Sequence, residues 1–260
     1  MRRRITSPVL IIGTLSLGLP FLLAGESRAQ EKKAEQAKKA EIAATTPVPR
    51  APDWVKRHEG FVDMARKGNI DLLFLGDSIT DAWGGPGHNP KSPGNELFTK
   101  EFEPLHAANF GIGGDRTQHV LWRIENGELE GIHPKVVMLM IGTNNTPVDS
   151  AADIAAGVTA IVKEIHKRSP QTKILLLGIF PRGPKPNKLR DKIKDVNTII
   201  AKLDDGGKTV KYLDIGDKFV QPDGTISSQI MPDALHLSAQ GYKIWADAVK
   251  DPILELMGKK

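Results

Sequence analysis

The sequence predicts an α/β fold in which helices wrap a parallel sheet. Short, continuous apolar runs recur along the chain, and stretches with apolar residues at helical spacing separate them. The runs also end in Gly, Ser, Asn or Asp, residues that turn the chain and leave polar groups at a strand end.

Residues 70–76 (IDLLFLG) form the first run, apolar at successive positions as a strand buried on both faces must be. Residues 107–111 are a second, weaker strand. Residues 116–126 follow as a helix, with Val120, Leu121 and Ile124 on one face. Residues 135–142 (KVVMLMIG) are the third strand. Ser150 is a good N-cap for a helix to residue 168, where Ile154, Val158, Ile161, Val162 and Ile165 repeat at helical spacing. A fourth strand spans 173–180, a helix 189–203, a fifth strand 210–215 and a last helix 238–257. In such sheets, ligands bind beyond the carboxyl ends of the strands.

The N-terminus has a different character. Arg2, Arg3 and Arg4 precede an apolar stretch, 8–24, that is broken by Gly13, Gly18 and Pro20. Ser27 and Ala29 then supply the small residues of a signal-peptidase site. Residues 1–29 are therefore expected to be a cleaved signal peptide, which makes the protein secreted or periplasmic. An uncleaved anchor is the competing reading, and no stable membrane span is expected after cleavage. Residues 30–51, rich in Ala, Lys, Glu, Thr and Pro, read as a disordered tether, and 52–260 as the folded domain. Residues 1–29 hold four Arg and one Glu, so the formal charge of +5 falls to about +2 without them. That near-neutral balance gives no reason to expect a nucleic-acid partner. With no Cys in the chain, disulfides and thiolate chemistry are excluded.

The strand ends carry the candidate chemistry. Gly76-Asp77-Ser78 follows the first strand. Ser78 is either an ordinary N-cap or an exposed nucleophile backed by free helical N–H groups. Gly111-Ile112-Gly113-Gly114 follows the second, either a tight turn or a source of backbone N–H for an oxyanion. Asn144 follows the third, either an Asx turn or a side-chain donor. Asp233-Ala234-Leu235-His236 precedes the last helix. It is either a surface pair or a base with its orienting acid. The other six histidines have no comparable neighbour in sequence. No third ligand suits a metal, so no metal or cofactor is expected.

Taken together, NFGIGGDRTQHVLWRIENGELEGIHPKVV (109–137), IGTNN (141–145), PRGPKPNKLR (181–190) and DALHLS (233–238) resemble the SGNH (GDSL-type) hydrolase superfamily. The likeness is to the subfamily of intracellular platelet-activating-factor acetylhydrolase α subunits. It implies a flavodoxin-like three-layer α/β/α sandwich with a five-stranded parallel sheet of order 2-1-3-4-5. It also implies that Ser78, His236 and Asp233 are a catalytic triad, and that Ser78, Gly114 and Asn144 form an oxyanion hole. The implied activity is serine ester hydrolysis of short acyl groups, acetyl above all, from a small-molecule or glycan ester; a homodimer is one allowed assembly. Exported relatives resemble carbohydrate O-deacetylases. A lysophospholipase or thioesterase, or a non-catalytic glycan-binding module on the same fold, are the alternatives. Residues 83–95 look longer than the subfamily's loop and are expected to lie beside Ser78 and shape its pocket.

Overall fold

The computed structural model describes residues 43–259. The expected signal segment and most of the expected tether lie outside the described residues.

Five strands form one parallel sheet. They are β1 (Leu72–Gly76), β2 (Ala107–Gly111), β3 (Val136–Met140), β4 (Lys173–Leu177) and β5 (Val210–Leu213), in the order β2-β1-β3-β4-β5. Leu72 of β1 stands beside Ala107 and Val136, so β2, β1 and β3 run in step. The expected parallel sheet and its strand order are both found. β2 has the expected bounds, and the other strands are one to three residues shorter than their apolar runs at one end or both.

Alternate strand residues feed two separate cores. Leu73, Leu75, Phe110, Val137, Leu139, Ile174 and Leu176 face one side. That side is covered by α1 (Pro52–Lys67), α3 (Thr117–Arg123), α4 (Ala151–Arg168) and α5 (Lys188–Ile200). Leu72, Phe74, Val136, Met138, Met140, Leu175 and Leu177 face the other side, under α6 (Ala239–Leu256) and the aromatic residues Trp83, Phe98 and Phe102. The short helix α2 (Ser78–Asp81) starts directly after β1. Ser150 caps α4 as expected, its Oγ accepting from Asp153 N at 3.1 Å.

Two segments differ from the sequence reading. Residues 52–67 form α1, which packs Trp54, Phe61 and Ala65 on the sheet. Basic and acidic residues interleave with that apolar stripe and mask its periodicity. Residues 43–51, read as the end of a tether, lie along the domain. Ala44 is fully buried, its carbonyl accepts from Thr117 Oγ1 at 2.8 Å, and Val48 N donates to Gln118 O at 3.4 Å.

Candidate active site

Asp77 caps α2, its Oδ1 accepting from Ile79 N at 3.0 Å, and this puts Ser78 on the first turn with its own N–H unclaimed by the helix. Gly76 sets the turn. A Cβ there would lie 2.2 Å from Thr80 Oγ1 and 2.3 Å from the Met140 carbonyl, so no side chain fits between β1 and the helix it feeds. Burial pushes the Asp77 carboxyl up to about 7. The Ile79 N–H opposes that shift, the charge of Asp115 adds to it, and Arg182 counters it.

The loop before α6 brings an imidazole to Ser78. Ser78 Oγ lies 2.9 Å from His236 Nε2, and His236 Nδ1 lies 2.6 Å from Asp233 Oδ2. The other carboxylate oxygen, Oδ1, accepts from Leu235 N at 3.0 Å and His236 N at 2.7 Å, with Ala234 between them at φ 57°. Burial alone would raise the Asp233 carboxyl. The His236 ring and these two N–H groups outweigh it and hold the acid below its ordinary value. Ser238 caps α6, accepting from Gly241 N, and Tyr242 one turn on donates to the Ile79 carbonyl at 2.6 Å. That buried bond ties the helix behind His236 to the helix of Ser78. Tyr242 was invisible to the sequence reading, because its partner is 163 residues away.

The second group of donors gathers beyond β2 and β3. Gly114 has φ 78°, a conformation that costs a side-chain-bearing residue but not glycine. Gly113 N is committed to Asp81 Oδ2 at 3.2 Å, whereas Gly114 N has no acceptor among the described residues. Asn144 donates through Nδ2 to the Asp115 carbonyl at 2.8 Å, which orients the amide and leaves its second N–H free. All five sequence-predicted residues thus sit at the carboxyl end of the sheet, and Ser78, His236 and Asp233 form one hydrogen-bonded chain.

Beneath this loop lies a buried ionic network. Arg123 reaches Asp115 Oδ2 at 2.9 Å, Glu128 at 2.6 and 2.7 Å and the Phe110 carbonyl at 2.8 Å. Trp54 Nε1 donates to Asp115 Oδ1 at 2.7 Å. Desolvation still leaves the Asp115 carboxyl above its ordinary value, despite Arg123, Trp54 and Arg50. Burial, with the charges of Arg50, Arg116 and Arg123, pushes His119 down to about 4. Three histidines read as partnerless prove to have carboxylate partners, His58 with Glu128 at 3.0 Å, His88 with Asp81 at 2.7 Å and His106 with Asp71 at 3.2 Å. The imidazole hydrogen-bonded to Ser78 Oγ is that of His236.

Residues 83–95, the loop expected beside Ser78, are seated on the domain by two side chains. Trp83 is fully buried among Phe74, Phe102, Tyr242 and Trp245. His88 ties the rest of the loop to Asp81 and the Asn109 carbonyl. A cavity of about 290 Å³ bordered by Asp233 is lined further by Arg182, Gly183, Asn187, Leu189, Ala234 and Leu235, and neither Ser78 nor His236 lines it. A larger one of about 550 Å³, near Tyr212 and Asp214, lies under β5 and does not touch Ser78. No group of residues suited to a metal ion occurs among the described residues, and no described helix is long and apolar enough to cross a membrane.

The fold and the sequence together define the class. The model of the GDSL-like Lipase/Acylhydrolase family matches residues 74–244, and the chain belongs to that family. It is a carboxylic ester hydrolase. Among its relatives, the human platelet-activating factor acetylhydrolase IB subunit alpha1 is 41% identical over 206 residues, covering 79% of this chain and 85% of that protein. The alpha2 subunit of Rattus norvegicus is 42% identical over 204 residues, covering 78% and 85%. Among solved structures, the acetyl xylan esterase AlAXEase superposes with a TM-score of 0.58 at 24% identity, over 71% of this chain and 100% of that one. Est24, a carbohydrate acetylesterase from Sinorhizobium meliloti, gives 0.55 at 20% identity, over 72% and 99%. These two likenesses are of fold.

Proposed function

We propose that Ser78, His236 and Asp233 act as a catalytic triad that removes short acyl groups, acetyl above all, from a carbohydrate ester. The observation that carries this reading is the unbroken chain from Ser78 Oγ to His236 Nε2 at 2.9 Å and from His236 Nδ1 to Asp233 Oδ2 at 2.6 Å. Ser78 Oγ attacks the ester carbonyl as His236 takes its proton. The N–H groups of Ser78 and Gly114 and the free N–H of Asn144 receive the oxyanion. His236 then protonates the departing alcohol, and water repeats the sequence on the acyl-enzyme, releasing the acid and restoring Ser78.

A polar alcohol is favoured by the cavity that Asp233 borders, whose lining includes the Arg182 guanidinium and only Leu189 and Leu235 as large apolar side chains. No aromatic residue lines it. The proteins named above as acetyl xylan and carbohydrate acetylesterases share the fold, and the Arg-rich, apolar N-terminus fits export toward such glycans. Ser78→Ala should abolish p-nitrophenyl acetate hydrolysis and leave the thermal midpoint nearly unchanged. Near-native turnover would dismiss the triad. The 41% identity to platelet-activating factor acetylhydrolase subunits favours a second reading, a lipid acetyl ester. Rates on acetylated xylan and on a short-chain acetyl phospholipid separate the two.

A further inference from the structure

We infer that Arg50, from the segment that precedes the domain, is a positioning residue for the oxyanion donors; the inference rests on the triad reading above. Residues 43–51 approach from α3 and α4, where Ala44 is buried and bonded to Thr117, and end where α1 begins. The guanidinium at their end meets the Gly113-Gly114-Asp115 turn in three ways. Its Nη1 donates to the Gly113 carbonyl at 2.8 Å and to Asp115 Oδ1 at 2.9 Å. Its Nη2 covers the open face of Gly114, 3.0 Å from where a Cβ would stand. Both Gly114 neighbours are thus held by Nη1 of one planar guanidinium fork, while the Gly114 N–H has no acceptor among the described residues.

The same fork acts on Asn144 through one intermediate. Asp115 holds the Asn144 amide by its backbone carbonyl at 2.8 Å, and Arg50 and Arg123 hold Asp115 by its carboxylate. Arg123 is buried and fixes one carboxylate oxygen from below; Arg50 fixes the other from the solvent side. With Arg50 absent, the turn keeps its fold through Asp81, Trp54 and Arg123 but loses its outer clamp. Donors aimed at a developing charge stabilise it only when they are already in place, so a looser turn lowers the rate of the chemical step more than substrate binding. Arg50 lies outside residues 74–244, which the family model matches.

The test uses the full chain and p-nitrophenyl acetate. Arg50→Ala should lower kcat about 10- to 100-fold, below the 10²–10³ lost with a whole donor, with KM changed less than about threefold. Arg50→Lys should recover part of the loss, since an ammonium can donate to both acceptors of Nη1 but lacks the planar Nη2 that covers Gly114. Added guanidinium ion should partly restore Arg50→Ala. A kcat within twofold of wild type, a loss confined to KM, or a loss that neither lysine nor guanidinium repairs would each overturn the inference. Ser78→Ala is measured in parallel. If it stays active, the triad reading fails; if it is inactive while Arg50→Ala keeps full kcat, only the role of Arg50 fails.

Discussion

The two sides of Ser78 are built on opposite plans. On the base side, the side chains of His236 and Asp233 are 43% and 56% exposed, and the bonds that shape their turn run within three residues. On the oxyanion side, Asp115, Arg123 and Glu128 are fully buried, and they join α3 and the ends of β1 and β2. The base must gain and lose a proton, which an exposed ring does without stranding a charge. The oxyanion donors must not move at all, and a buried network resists reorientation when charge appears. Stability and catalysis should therefore separate by side.

The largest expected effect tests the base side. Asp233→Asn should cut kcat/KM by as much as about 10⁴, the loss seen for the equivalent change in a serine protease, or about 5.4 kcal/mol. The urea midpoint should barely change, since an exposed pair contributes little to folding. A strongly destabilised variant would erase the contrast. Arg123→Met tests the other side. It takes the fully buried cation from between Asp115 and Glu128 and should cost about 3–5 kcal/mol of folding free energy, read by urea unfolding. A loss below about 1 kcal/mol would mean the network does not brace the loop.

Asn144→Ala should come next, at about 2.7–4 kcal/mol in the transition state, as a kcat loss with KM held and no dependence on pH. A pH-dependent loss would transfer Asn144 to the base side. The smallest expected effect concerns Asp77, beneath both sides. Its carboxyl has a folded value near 7 against an ordinary 3.8, so the native state holds a proton that the unfolded chain releases. Its contribution to stability is therefore fully present below about pH 4 and is lost as pH rises to about 7. Asp77→Asn keeps the cap to Ile79 and should flatten that part of the curve. An unchanged slope in urea unfolding between pH 4 and 8 would show that Asp77 is ionised throughout.

The contrast also explains what could be read in advance. The Asp233 to His236 turn is local, and Ser78, Gly114 and Asn144 mark themselves as candidates by following apolar runs, while the family resemblance alone supplied their roles and the strand order. Arg50, Tyr242 and Arg182 were not legible. Their partners lie 63, 163 and 39 residues away, and nothing near them in sequence reports the meeting. Residues 43–51 read as tether because Ala, Thr and Pro show no apolar face. One buried Ala and a guanidinium sufficed to seat them. Trp83 misled for a related reason. A tryptophan in a Gly- and Pro-rich stretch reads as a loop residue, yet it fills the core beneath the sheet.

The crowding around Gly76 has a consequence for heredity. Since a Cβ there would stand 2.2 Å from Thr80 and 2.3 Å from Met140, every codon change that alters this amino acid displaces the turn carrying Ser78. A saturation library selected for growth on an acetylated sugar should therefore lose variants at position 76 about as completely as at position 78. One position would be silenced for want of a hydroxyl and the other for want of room. Reverting the first restores chemistry directly. Escape at the second would need Thr80 to give way in the same clone, a double event that single-step mutagenesis almost never samples.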